Sequence, residues 1–283
     1  MTDAACPIAP AQLGVQAHCL RFEIARGLEQ ALARVRRLGV RAIEMVSFPG
    51  CRGQAWGDFG AAADRTPRDV AAALRAAGLS CPSTMVLERE LDLARIEATL
   101  RWVADLGCPR LVQSSFAIAD EAGTADWQLA FDRIEGLARR VRATGLRYVL
   151  HTQANLWRPL GERRPIDLLL ERVDPRLMQL EYDPSGAIIY GLDPAGPLRA
   201  RPEAFYALHL RDGRTPPAPV FYLAALPLGA GGVDWLNLLR AAAASAIEYD
   251  FLEMEVAEPQ TTLAALEASC RYLVDRGLLA TQP

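Results

Sequence analysis

Residues 126–152, DWQLAFDRIEGLARRVRATGLRYVLHT, decide how the rest of the chain is read. The first twenty repeat apolar side chains at helical spacing and end on Gly145, the residue that most readily takes a helix C-cap conformation. RYVLHT (147–152) follows almost at once, a short apolar run with aromatic and β-branched members, the signature of a buried strand. A long helix feeding a short buried strand through a two-residue link is half of a parallel β/α repeat.

The alternation continues in both directions. LGVQAHCL (13–20), AIEMVS (42–47), SCPSTMV (80–86), RLVQSS (110–115), LMQLEYD (177–183), FYALHL (205–210) and DFLEMEV (250–256) read as strands. GLEQALARVRRLG (27–39), DVAAALRAAG (69–78), ARIEATLRWVADLG (94–107), IDLLLERV (166–173), VDWLNLLRAAAAS (233–245) and TLAALEASCRYLVDRG (262–277) read as helices. Only the helix after the sixth strand is faint. Eight strand-then-helix units in 283 residues imply one closed (β/α)8 TIM barrel spanning 1–283, with 1–11 as a flexible N-terminal tail; about 250 residues is typical of that fold. An open doubly wound sheet is the rival, and no Gly-rich phosphate turn follows the first strand to support it.

Composition narrows the function. The net charge is −3, and RVRR (34–37) and ARRVR (138–142) fall on amphipathic helices, where they read as solvated faces. Nucleic-acid binding is therefore disfavoured. No apolar run approaches the ~20 residues of a membrane span. The start, MTDAACPIAPAQLGV, lacks the pattern of a signal peptide, and six cysteines without a CxxC pair fit reduced thiols, so a cytoplasmic protein is expected. All 31 basic residues are arginine. A chain without lysine is no ordinary Schiff-base aldolase, pyridoxal enzyme or P-loop NTPase, since each needs that amine.

Chemistry in such a barrel gathers at the C-terminal ends of the strands. His18, His151 and His209, all the histidines of the chain, fall at ends of the first, fifth and seventh strands. Asp183 ends the sixth, where Pro184 stops the ladder. Glu253 and Glu255 share a face of the eighth by alternation, with Glu255 nearer the rim and Glu253 deeper; Glu181 likewise sits a layer below Asp183. His151, Asp183, His209 and Glu255 thus come from four consecutive strands. Two imidazoles and two carboxylates suit a divalent ion (Mn, Zn, Co, Mg or Fe) with positions left for substrate oxygens. No local spacing motif adds to this; it follows from the barrel.

Six segments also resemble the sugar phosphate isomerase/epimerase superfamily, the xylose-isomerase-like TIM barrels: LGVQAHCLR, VRAIEMVSF, LEYDPSG, LHLRDGR, LPLGAGGVDWLNLL and LEMEVAEP. The resemblance covers most of the chain and is carried by the order and spacing of the segments. It implies Asp183, His209 and Glu255 as metal ligands, with His151 where most members place a glutamate. Relatives with an HNH-type fifth strand are the nearer match, and Gln153 stands where those carry a second histidine. Epimerases of the superfamily use a pair of metal-bound glutamates on opposite faces of the reacting carbon. Here Glu255 and His151 are the expected catalytic groups.

The expected activity is a metal-dependent sugar or polyol isomerase or epimerase working by proton abstraction beside a carbonyl. Because one glutamate of the pair is replaced, a lyase stands as the alternative: an inosose- or dehydroshikimate-type dehydratase, or a C-glycoside-cleaving subunit. A non-catalytic binding subunit is the third reading. An apurinic endonuclease fits poorly, given an acidic chain without the histidines for three metals. The residues expected at the substrate are His18, Glu44, Trp56, Gln153, Trp157 and Arg211. Trp56, with Phe48 and Phe59, sits in a long loop (47–66) that reads either as a lid or as a segment anchored by its aromatics. Self-association stays open.

Overall fold

The computed structural model describes residues 8–51, 59–214, 224–254 and 261–280. Eight parallel strands close into a barrel: β1 (Leu13–Gln16), β2 (Ala42–Val46), β3 (Thr84–Val86), β4 (Arg110–Gln113), β5 (Arg147–His151), β6 (Met178–Tyr182), β7 (Phe205–Leu210) and β8 (Tyr249–Leu252). Each pairs with its sequence neighbours, and β1 closes the ring by pairing with both β2 and β8. At that seam Gly14 lies opposite Phe251 and Ala42. A side chain at 14 would run into the Phe251 ring, so the closure requires glycine there.

Helices clothe the barrel where the apolar periodicity places them: Leu28–Arg37, Pro67–Ala76, Ile96–Asp105, Thr124–Arg142, Pro165–Arg172, Trp235–Ala243 and Thr262–Asp275. Pro67 opens its helix at a position whose N–H would be unpaired anyway, and Thr66 with Asp69 forms a reciprocal capping box. The faint sixth helix is in fact two short ones, Ser185–Ile189 and Gly196–Ala200. None of the described helices is long and apolar enough to cross a membrane.

Three expectations change. The first strand stops at Gln16, because the Gln16 side-chain carbonyl accepts the His18 N–H and turns the chain into a 3-10 helix, Ala17–Leu20. The eighth stops at Leu252, not 256; Glu253 N–H still donates to Leu210 O, but Met254 N–H turns away to Cys19 Sγ. The expected flexible tail, 1–11, does not extend to its stated end. Ile8 is fully buried, exchanges backbone hydrogen bonds with Leu278 and Ala280, and so clasps the start of the barrel to its end. Residues 1–7 lie outside the described set.

In the loop after β2, Phe48 and Phe59 are buried with their rings in tilted contact at 5.2 Å, and Phe48 is also 6.2 Å from Trp102. For these two rings the anchoring role holds. Trp56 lies outside the described residues. The opposite mouth of the barrel is filled by Arg110, which lies over the Tyr206 ring at 4.1 Å and pairs with Glu248 at 2.6 Å.

Candidate metal centre

Side chains alternate along a strand, so His151 and its register partner Glu181 point the same way, as do His209 and Phe251. With His151, Asp183, His209 and Glu253 all carried at or just past the ends of β5 to β8, their ligand atoms lie within 4.8 Å of one another. Three of these four are the residues expected from the sequence. The fourth expected residue, Glu255, lies outside the described residues; among the described residues the strand-eight carboxylate in the cluster is Glu253. The earlier end of β8 puts Glu253 just past the ladder, at the rim.

The histidine protons are set by their neighbours. His151 Nδ1 is 3.0 Å from the Ser114 carbonyl, which can only accept, so Nδ1 carries the hydrogen. Its Nε2 keeps a lone pair, is buried without a hydrogen-bond partner, and faces Asp183 Oδ2 at 3.7 Å. Such a buried orphan acceptor among carboxylates is what a cation-binding site presents. Asp183 is aimed from its backbone: its Oδ1 accepts the Ser185 N–H at 2.8 Å, and its own N–H donates to Thr152 Oγ1 at 2.9 Å.

His209 is fully buried, with Nδ1 2.8 Å from Glu253 Oε2 and Nε2 facing Glu181 Oε2 at 3.2 Å and Glu44 Oε1 at 3.4 Å. Burial alone would lower its pKa, but the charges of Glu181 and Glu253 outweigh that and hold it well above the usual histidine range. Burial works against ionising Asp183 and Glu253 too, yet both are held low. The Arg211 guanidinium does this for Asp183, and His209 and then Arg211 hold Glu253 at about 2. Arg211 Nη1 is 3.3 Å from Asp183 Oδ2 and 3.6 Å from Glu253 Oε2, so a fixed cation borders the cluster.

A second polar layer lies beneath. Glu44 is fully buried, takes the Ser83 hydroxyl at 2.7 Å on Oε2, and is pushed well above the usual carboxylate range by burial and by the Glu181 charge. It therefore sits below the cluster, beside His209, rather than on the rim expected for a substrate contact. Gln153 is tied down by its amide nitrogen, which donates to Phe116 O at 3.1 Å. Trp157 is buried against Tyr182 at 6.0 Å and against Gly186, a wall of the rim rather than an exposed face. His18 is buried in the 3-10 helix after β1 and is not a member of the cluster. The neighbouring Asp212 binds two backbone groups and an indole: its Oδ2 accepts from Gly229 N–H at 2.8 Å, Gly231 N–H at 3.3 Å and Trp235 Nε1–H at 3.0 Å. A cavity of about 720 Å³ lies at the other end of the barrel, lined by Arg142, Arg147 and Arg176, remote from this chemistry.

Comparison with known proteins agrees with the architecture. The inosose dehydratase of Geobacillus kaustophilus (strain HTA426) is 24% identical over 213 residues, 66% of this chain and 62% of that protein, so the match spans less than two thirds of the relative's length. A sugar phosphate isomerase/epimerase from Parabacteroides distasonis ATCC 8503 superposes with a TM-score of 0.76 at 18% identity, covering 96% of this chain and 95% of that one. The IOLI protein, solved with a binding zinc atom, superposes with a TM-score of 0.72 at 13% identity, covering 94% and 98%. Residues 32–275 match the family described as xylose isomerase-like TIM barrels, and the chain belongs to that family.

Proposed function

We propose that the chain is a divalent-metal-dependent enzyme that removes a proton from the carbon beside a carbonyl in a sugar, polyol or sugar-derived substrate. The observation that carries this is the orphaned His151 Nε2, buried and converging with Asp183, His209 and Glu253 within 4.8 Å. The donor set of two imidazoles and two carboxylates fits a divalent ion, and the zinc in the IOLI structure supports the same reading. An ion there would polarise a carbonyl and acidify the adjacent C–H. The chain's own residues supply the rest. Asp183 and His151 are pre-aimed by backbone bonds, Glu253 is held ionised as a proton acceptor, and Arg211 adds fixed positive charge where negative charge develops.

Elimination is favoured over epimerisation. Epimerisation needs acid–base groups on both faces of one carbon, and His151 replaces the second glutamate of that pair. Its Nδ1–H is already committed to Ser114 O and its Nε2 belongs to the cluster; of the two rim carboxylates among the described residues, Asp183 is already tied through Oδ1 to the Ser185 N–H, which leaves Glu253 for proton transfer. The likeness to an inosose dehydratase supports this direction. The isomerase or epimerase remains the second reading, supported by the Parabacteroides fold neighbour.

The test is incubation of the protein with Mn or Co and a panel of inososes and ketoses in deuterium oxide. Loss of water, giving an ultraviolet-absorbing unsaturated ketone, is expected. Deuterium wash-in without elimination would move the assignment to isomerase. No metal binding, together with unchanged ligand binding in Asp183→Ala, would leave a binding subunit.

A further inference from the structure

We infer that Glu181, fully buried beneath the cluster, is a positioning residue: it holds the His209 ring with Nε2–H turned inward, so that Nδ1 is presented to Asp183, Glu253 and His151. The inference rests on the proposed metal centre.

Four observations carry it. First, the two nitrogens of His209 face two different layers, Nδ1 toward Glu253 Oε2 at 2.8 Å and Nε2 toward Glu181 Oε2 at 3.2 Å. A buried ring with carboxylates at both edges has its orientation set by which one holds it. Second, both Glu181 oxygens are buried with no hydrogen-bond partner, as is His209 Nε2. Leaving such groups unmatched is costly, and the imidazole edge is a donor that faces one of them at 3.2 Å. Third, the other inner carboxylate is engaged on one oxygen: Glu44 Oε2 takes the Ser83 hydroxyl, while its Oε1, also without a partner, stands farther from Nε2, at 3.4 Å. Glu181, with neither oxygen engaged, is the nearer partner.

Fourth, Glu181 lies two residues before Asp183 and in register with His151. One strand therefore supplies a rim carboxylate and, a layer below, the group that orients the histidine of the next strand. The two histidines are treated differently. His151 donates to the neutral Ser114 carbonyl, whereas His209 Nε2 faces a carboxylate 3.2 Å away, the kind of partner that most raises ligand basicity.

The experiment uses Co2+ as probe with wild type, Glu181→Gln and Glu181→Asp. Affinity is read by chelator competition, geometry by the visible d–d spectrum, and folding by thermal melts. Glu181→Gln is expected to bind Co2+ about 10- to 100-fold more weakly, the usual cost of losing such a partner, with an altered spectrum. Glu181→Asp should recover part of both. Nitrogen-15 NMR of the Zn2+-loaded wild type should show His209 protonated at Nε2 and metal-bearing at Nδ1, and this decides the matter alone if Glu181→Gln does not fold.

Wild-type affinity and spectrum in Glu181→Gln, or metal on Nε2, would overturn the inference while leaving the metal centre standing. So would two ions per chain with one lost in Glu181→Gln, because Glu44, Glu181 and His209 would then be ligands of a second ion. A wild type that binds no Co2+ removes the metal centre and the inference together.

Discussion

His151 has one nitrogen committed to a backbone carbonyl and the other left bare in a buried polar cluster. That asymmetry, more than the presence of a histidine, makes it a ligand candidate. A different residue-scale consequence concerns Asp250, three positions before Glu253 on β8. It is buried, its Oδ1 has no hydrogen-bond partner, and burial pushes its carboxyl up to about 7. An acid raised in the folded state contributes stability that is full below its unfolded pKa, near 4, and is lost as pH rises through about 7. Asparagine carries no such charge. Urea unfolding should therefore show Asp250→Asn gaining on wild type by roughly 4 kcal/mol between pH 4 and pH 8, since holding a carboxyl at about 7 instead of near 4 is worth about 1.36 kcal/mol per pH unit. Parallel stability curves for the two proteins across that range would refute it.

At the scale of elements, the rim is braced by contacts that leave no spare room. Asp212 follows β7 and collects three N–H groups of the segment that leads into the helix Trp235–Ala243. Gly231 passes so close to Asp212 that any side chain there would collide with it. Asp212→Ala should free this segment: hydrogen exchange of Gly229, Gly231 and the Trp235 indole is expected to quicken by at least tenfold, with melting lowered by a few degrees. Unchanged exchange would mean that the turn holds without Asp212.

The helix Ser185–Ile189, just after Asp183, meets a second such limit. A Cβ at Gly186 would be driven into the Trp157 ring. Gly186→Ala is expected to cost about 1–3 kcal/mol, the usual penalty of overpacking, measurable by chemical denaturation. Because the strain falls next to Asp183, metal affinity should drop with it. A neutral effect on both would show that the indole can move aside.

Over the whole molecule, the barrel assembles its centre from strands far apart in sequence, so ligand binding and global stability are linked. An ion that binds only the folded chain adds about 2.7 kcal/mol at a hundredfold excess over its Kd. Saturating Mn or Zn should raise the melting temperature by several degrees, chelator should reverse it, and Asp183→Asn should abolish the shift. An equal shift in Asp183→Asn would place the ion elsewhere. The clasp of Ile8 to Leu278 and Ala280 belongs to this scale too, since it joins the two ends of a fold whose closure no single unit can make.

Much of the architecture was legible in the chain because its signals are local. A 3.6-residue apolar period, a glycine at the helix end and a short apolar run recur often enough to require eight units, and β7 occupies the very span read for it, Phe205–Leu210. His151, Asp183 and His209 could be placed at strand ends for the same reason. The strand-eight carboxylate that joins them among the described residues, Glu253, could not be chosen this way. Glu253 and Glu255 share a face, so alternation does not separate them, and what puts Glu253 at the rim is where the ladder with β7 and β1 ends. The same holds for Glu44 and Glu181: their residue type and strand were visible, but their closeness to His209 is made only when the sheet closes. The sequence by itself determined the repeating units and the residue types at their ends. The tertiary structure alone decided register, depth and the hydrogen-bond partner of each imidazole, because these depend on neighbours that local periodicity does not specify.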